Sequence, residues 1–531
     1  MSTSFRRLLV SALLIPLLSA GGGLATPAFA QGTASAQGTT FAQGTTSAEA
    51  AAATAAHAQG DVAADPTADI KARLAAIPGM TITEEKPTDA DHRYFLLTYT
   101  QPIDHFRPWL GTFQQRISVL HRGYDRPTVF YTNGYTLGTT PSRTEPTRLV
   151  DGNQVSIEYR YFTPSRPEPA DWTKAGIRQA AADSHRIVTA LKEIYRHEWL
   201  STGASKGGMS STYYRRFYPD DVAGTIAYVA PNNTDVNDDA PYTDFFQNVG
   251  TPECRAALNA VQRELLVRRD RLEARFAADN KAAGSTFAVL GSADRAYEGS
   301  VLDVVWGFWQ YSMQSDCAQV PVAATATDDE LYKWFDAQEG VTSSSDQGLA
   351  KYTAYYYQAA TELGAPYFDV SYLKGLLHYD YKELYAPRAY VPKEIPTTFN
   401  PKAMPDIDRW VKREAERIIF VYGGNDPWGA KPFELGWGSE DCYVYTVPGG
   451  NHGSNIGKLP AEESAAATAK VLEWAGLTGD QGNARSLAKS QSQSQSQSQS
   501  QSQSQAPASQ YRIPPFGPLD EEGQKLERHP L

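Results

Sequence analysis

Only three of the 531 residues are cysteine and only nine are histidine, and lysine plus arginine (49) fall short of aspartate plus glutamate (60). Each shortage excludes something. Three cysteines cannot build a disulfide-dense scaffold; outside the cell they allow one bridge and one leftover thiol. Three pairings are open, and Cys254–Cys317 is preferred because both lie in the same inserted region. No Cys/His zinc spacing is present, and the stretch from His197 misses the two-histidine protease pattern because its fifth position is Ser201. No metal and no cofactor is expected. A net charge of -11 and a pI near 5.4 give no basic face for nucleic acid and no attraction to an anionic membrane. A cationic ligand such as a peptide amino terminus suits such a chain.

Beyond the first thirty residues, no run is apolar and long enough to span a bilayer. Those thirty residues carry Arg6 and Arg7, an apolar core from Leu8 to Leu18 and the small-residue site Ala28-Phe29-Ala30. That is a secretory signal pattern, with cleavage expected after Ala30 and export as a soluble, extracellular protein. Residues 31–64 hold Ala-Gln-Gly-Thr repeats starting at 30, 36 and 42 and read as a low-complexity linker or pro-segment. Residues 480–531, with alternating Ser and Gln from 490 to 505, read as an unfolded tail. The globular body is thus about Asp65 to Gly479.

Within the body, apolar runs alternate with amphipathic ones. Residues 93–101 and 114–122 read as a strand hairpin, and 128–134, 154–162 and 222–231 as further strands. Residues 171–196 read as one long amphipathic helix, with Ile177, Ile187, Val188, Leu191 and Ile194 on its stripe. Strand-then-loop units follow at 417–428 and 442–453, and a last helix at 461–474. The alternation predicts an α/β fold with a mainly parallel, doubly wound sheet. Between 232 and 408 the rhythm breaks into charged and aromatic helical stretches. The expected division is an α/β-hydrolase core at 65–231 and 409–479, with a mostly helical cap at 232–408 inserted between core strands. The cap lies over the carboxyl ends of the strands, where open α/β sheets bind ligands.

Gly203-Ala204-Ser205-Lys206-Gly207 fits G-x-S-x-G, preceded by an apolar run and followed by a helical one. The tight strand-to-helix turn needs glycine at both flanks and lifts the serine hydroxyl above the sheet. A phosphate-cradling loop is disfavoured, because Lys206 is followed by Gly207 and not by Ser or Thr. A nucleophilic serine needs a base and an orienting carboxylate, and in α/β-hydrolases these follow it in the order acid, then histidine. Of the three later histidines, His529 is in the tail, His378 is on the cap, and His452 follows a strand among small residues. Asp426 ends the preceding strand unit. Ser205, Asp426 and His452 are therefore the expected triad, against the blander view of a loop histidine and a turn aspartate. The oxyanion donors are expected to be the Lys206 N–H and one from the turn after strand 128–132, at Gly134 or Tyr135.

Several longer stretches carry a resemblance: "QPIDHF…TFQQR", "IEYRYF", "DWTKAGIRQAAADSHRIVTALK", "GASKGG", "GGNDPW" and "PGGNH". Over about 85–475 the chain resembles the secreted prolyl tri/tetrapeptidyl aminopeptidases of filamentous actinobacteria. More distantly it is similar to the lysosomal prolyl carboxypeptidase and dipeptidyl peptidase group. The resemblance implies a serine peptidase that releases short peptides from free amino termini after proline. It also implies peptide or protein substrates with free N-termini; a monomer is expected. An exopeptidase measures distance from the substrate amine, so a carboxylate should wait several residues from Ser205. Glu362 is the first choice and Glu158 the second, with an ion pair to a basic neighbour as the alternative for Glu158. Proline at the cleavage position wants an apolar pocket, and Trp306, Trp309, Tyr356 and Trp428 are its expected walls. A carboxypeptidase, an esterase, or a catalytically inactive hydrolase-fold binding protein are the rival functions.

Overall fold

The computed structural model describes residue 65 and residues 67–478 and 511–520. The expected signal at 1–30, the linker at 31–64 and the Ser/Gln repeats lie outside them. Among the described residues, nine strands form one sheet: β1 (Met80–Lys86), β2 (Arg93–Pro102), β3 (Thr112–His121), β4 (Thr128–Thr132), β5 (Asn153–Ile157), β6 (Trp199–Ala204), β7 (Gly224–Tyr228), β8 (Ile418–Gly423) and β9 (Tyr443–Val447). Their order is β1-β2-β3-β5-β4-β6-β7-β8-β9. β1, β2, β3 and β5 pair antiparallel in turn, and from β5 to β9 every pairing is parallel. This mixed sheet, crossed by helices on both faces, is the α/β-hydrolase core.

β5, β6, β7 and β8 are buried along their whole length, as strands covered on both faces must be. The expected hairpin is β2–β3, paired in unbroken register from Arg93–His121 to Pro102–Thr112. β1 escaped prediction, because Thr83, Glu84 and Glu85 are exposed and leave no apolar alternation to read. The long helix begins later than expected. Trp172–Lys174 is a separate 3-10 turn capped by Asp171, and α1 runs Ile177–Leu191 after Gly176.

Between β7 and β8, where the cap is expected, the chain is helical. This stretch contains α3 (Pro252–Val267), α4 (Arg269–Ala282), α5 (Ala293–Tyr311), α6 (Asp328–Glu339) and α7 (Thr353–Gln358), which follow α2 (Lys206–Phe217) in the chain. The charged stretch 254–280, which reads as a single helix, is two helices broken at Arg268 (φ -94, ψ 18). The cap has its own core around Tyr297, Trp306, Trp309, Phe335 and Tyr356. A Cys254–Cys317 disulfide ties α3 to the turn after α5, as preferred from sequence. The leftover Cys442 is half-buried, and burial pushes its thiol up to about 11. The boundary expected between 408 and 409 falls inside α8 (Ala403–Glu414). Met404, Ile407, Trp410 and Val411 on that helix pack against Ile418, Phe420, Met209 and Tyr213, so α8 belongs to the core. The last helix, α9 (Ala461–Trp474), packs Val471 and Trp474 beside Ile226 and Ile419. Among the described residues no helix is long and apolar enough to cross a membrane.

The tail departs from expectation where it is described. Tyr511 donates its hydroxyl to the Leu149 carbonyl at 2.7 Å, and Arg148 lies 4.2 Å over the Phe516 ring. Leu519 is buried against Tyr94 and Leu120. Arg143 grips Asp520 with two bonds of 2.7 and 2.8 Å, both side chains being nearly fully buried. Composition hid this contact, because a few anchors inside a polar tail carry no periodicity. Asp520→Asn is expected to destabilise the protein by about 3 kcal/mol, since it strands a buried guanidinium. The readout is the denaturant midpoint, and an unchanged midpoint would mean that the segment does not dock.

Candidate active site

Ser205 sits between β6 and α2 with φ 54 and ψ -125, a backbone state that a side-chain-bearing residue adopts only under constraint. The neighbouring glycines supply the constraint. A Cβ on Gly203 would stand 2.3 Å from the Gly207 carbonyl carbon, and one on Gly207 would stand 2.2 Å from the Thr132 carbonyl oxygen. The turn is held in place by the Ser205 N–H, which donates to the Tyr228 carbonyl at 2.9 Å. The serine therefore stands at the carboxyl edge of the parallel strands, at the start of α2. Lys206, the first residue of α2, has a backbone N–H without an intrahelical acceptor.

Asp426 and His452 come to the same edge from the turns after β8 and β9. The two turns are laced together, with the Asn425 N–H donating to the Gly450 carbonyl at 2.8 Å. His452 Nδ1 lies 2.6 Å from Asp426 Oδ2, and the Trp428 N–H donates to Asp426 Oδ1 at 3.1 Å. The carboxylate is fully buried and fixes the imidazole so that Nε2 faces away from it. Nε2 is buried and has no hydrogen-bond partner. The cap secures the histidine turn: the His452 N–H donates to the Gln310 carbonyl at 3.0 Å, and Asn451 Nδ2 to the Tyr311 carbonyl at 3.1 Å, both on α5. The Ser205 hydroxyl instead shares a hydrogen bond with the Tyr135 phenol oxygen. Such a loose serine–histidine link is common before substrate arrives.

The turn after β4 bears directly on α2. Gly134 has φ 78, and a Cβ there would meet the Gly207 nitrogen at 2.7 Å and the Lys206 carbonyl carbon at 2.8 Å. The Tyr135 N–H, one of the two expected oxyanion donors on this turn, donates to Asn133 Oδ1 at 2.8 Å. The Lys206 side chain runs under the cap, its Nζ 3.2 Å from the centre of the Tyr159 ring. Burial holds that amine well below the usual lysine range, partly opposed by the Glu362 carboxylate.

Of the two expected amine anchors, Glu158 is occupied by the fold. It is fully buried, pairs with Arg116, and accepts from the Leu137 N–H and from Ser165. The ion-pair alternative describes it. Glu362 lies on a π-helical turn, Ala359–Leu363, that continues α7, and its Oε2 accepts the Ile177 N–H at 2.8 Å. Burial raises its carboxyl above the usual range. Among the expected pocket walls, Trp428 lies 6.4 Å from the His452 ring and 4.9 Å from Trp306. Trp306, Trp309 and Tyr356 are fully buried cap core, Trp306 behind Trp428, Trp309 against Gly250 and Tyr356 stacked on Tyr390. Sequence reasoning missed Gln310 and Asn133, whose roles run through a backbone carbonyl and a side-chain amide that carry no motif. Among the described residues no cluster could hold a metal ion.

The sheet order, the strained serine turn and the acid–histidine pair at one strand edge define an α/β-hydrolase. The chain belongs to the PS-10 peptidase S37 family, whose model matches residues 63–505, and it is a serine peptidase. It is 57% identical over 414 residues to the prolyl tri/tetrapeptidyl aminopeptidase of Streptomyces mobaraensis, covering 78% of this chain and 86% of that one. It is also 26% identical over 159 residues to the lysosomal Pro-X carboxypeptidase of Mus musculus, covering 26% and 32% of the two chains. Among solved structures, the proline iminopeptidase of Mycobacterium smegmatis aligns with a TM-score of 0.33 and 13% identity, covering 71% and 98%.

Proposed function

We propose that this protein is a secreted, monomeric exopeptidase that removes tri- and tetrapeptides from free amino termini by cutting after proline. Ser205 attacks the proline carbonyl, His452 Nε2 takes its proton and passes it to the leaving amine, and Asp426 holds the imidazole. The observation that carries the reading is the strained Ser205 at the same strand edge as the His452–Asp426 pair, closed over by an aromatic cap. A seven-per-cent-exposed serine and a one-per-cent-exposed histidine suit a site that admits a thin chain end rather than a folded loop. Trp428, backed edge-on by the buried Trp306, offers flat apolar surface beside His452 for the proline ring.

Glu362 is the proposed receptor for the substrate amine. A carboxyl whose ionisation is hindered by burial gains most from an arriving ammonium, which supplies a full counter-charge where burial holds down that of the Lys206 amine. Glu362→Gln is expected to raise KM for free peptides by about tenfold, roughly the loss of one charge-assisted hydrogen bond. Amino-acetylated peptides should be cut equally poorly by both forms. Equal KM values for free peptides would remove Glu362 from this role.

The deciding experiment is cleavage profiling of a peptide library with free and acetylated amino termini. Release of tri- and tetrapeptides ending in proline, from free termini only, is the expected result. Cleavage from the carboxyl end would indicate a carboxypeptidase, and cleavage of simple esters alone an esterase. No turnover and no labelling by a serine-directed fluorophosphonate would leave an inactive binding protein.

A further inference from the structure

We infer that the phenol of Tyr135, and not its backbone N–H, is the second oxyanion donor. The inference rests on the proposed Ser205 chemistry. The usual donor pair in this fold is the N–H after the nucleophile plus one N–H from the turn after a neighbouring strand. Here the first is present at Lys206. On the second turn the Tyr135 N–H is already committed to Asn133 Oδ1 at 2.8 Å, and the Asn133 amide returns a bond to the Thr136 carbonyl. The Tyr135 carbonyl is committed too, accepting the Tyr159 N–H at 2.9 Å. The backbone of residue 135 is thus locked by its own turn and by the end of β5.

What the lock does is aim the side chain. The phenol reaches Ser205 and hydrogen-bonds to it. The ring is fixed by edge contacts with Phe162 at 5.7 Å and Tyr352 at 6.0 Å, and by Tyr355 at 5.8 Å. Phe162 comes from the core and the two tyrosines from the α7 region of the cap, so closing the cap completes the donor's position. Burial keeps the phenol from ionising, which preserves it as a proton donor. A phenol hydrogen-bonded to the nucleophile hydroxyl stands next to the place where the carbonyl oxygen arrives, because both oxygens share one carbon in the tetrahedral intermediate.

The step balances without any further reagent. The Ser205 Oγ–carbon bond forms as the carbonyl π pair moves onto oxygen, and the Oγ proton passes to His452 Nε2. The Lys206 N–H and the Tyr135 O–H donate to the oxyanion, and Tyr135 keeps its proton. On collapse the carbon–nitrogen bond breaks, and the leaving amine takes the proton from His452. Tyr135 then returns to the serine oxygen.

Tyr135→Phe tests this, because it retains the ring and removes only the hydroxyl. The expected result is a fall in kcat of about 10²- to 10³-fold, the usual loss for one oxyanion donor, with KM nearly unchanged. A peptidyl proline boronic acid, whose tetrahedral adduct carries the same oxyanion, should lose affinity by a similar factor. A peptide product ending in proline should bind as before. If kcat and boronate affinity stay within threefold of the parent, the inference is overturned and the donor is a backbone group such as the Gly134 N–H. A rise in KM and product Kd with kcat unchanged would equally overturn it, marking Tyr135 as a pocket wall. Thermal unfolding of the variant guards against a folding defect. Ser205→Ala, run in parallel, separates the two levels: full activity there would sink the serine mechanism, whereas an inactive Ser205→Ala beside a fully active Tyr135→Phe would sink only this inference.

Discussion

Ser205→Ala is expected to lower kcat on a tripeptide-proline chromogenic substrate by about 10⁶-fold, the scale for removing a nucleophile that acts as one unit with its base. The substitution leaves the turn intact. Alanine has no larger volume than serine, and the positive φ of 54 is imposed by Gly203, Gly207 and the Ser205–Tyr228 backbone bond rather than by the hydroxyl. What disappears is the oxygen proposed to form the acyl bond. His452→Ala should cost nearly as much, and the double variant little more than either, because a base without its nucleophile has nothing to deprotonate. A pre-steady-state burst of chromophore, present in the parent and missing in Ser205→Ala, ties the loss to acylation. Retention of a tenth of the parent rate would place the nucleophile elsewhere.

Asp426→Asn is expected to reduce kcat by about 10⁴-fold while the protein remains folded. The reason is the number of donors around this one buried carboxylate. Oδ2 faces His452 Nδ1 at 2.6 Å, and Oδ1 accepts the Trp428 N–H at 3.1 Å. An amide offers one acceptor and one donor. With its oxygen toward Trp428, its NH₂ meets His452 Nδ1 and forces the tautomer that carries the proton on Nε2. That nitrogen then cannot accept the serine proton. With the oxygen toward His452, the NH₂ opposes the Trp428 N–H in a fully buried place. Activity within tenfold of the parent, with an unchanged melting temperature, would show that Asp426 does not orient the histidine.

The alternation of apolar runs made the parallel strands legible, because β5 to β8 are buried on both faces and cannot carry charge. β1 was not legible, because Thr83, Glu84 and Glu85 face solvent and only Met80 is fully buried. The cap was visible as a break in rhythm, but its end was not. α8 is amphipathic like the cap helices, and only its packing on Phe420 and Met209 assigns it to the core. The docking of 511–520 was hidden for a related reason: Arg143 and Asp520 are 377 residues apart, and no local pattern links them.

The sequence by itself determined the chemistry available. The Gly203–Gly207 motif demands a strained turn, and chain order left one histidine and one aspartate at strand ends after it. Those constraints are local, because they concern which backbone states and which side chains a short stretch permits. The tertiary structure decided which partners each group meets. It committed Glu158 to Arg116, left Trp428 beside His452 while placing Trp309 in the cap core, and consumed the Tyr135 N–H while turning its hydroxyl toward Ser205. Which partners a donor or a carboxylate meets is settled by the folded chain, which brings them to it from distant positions.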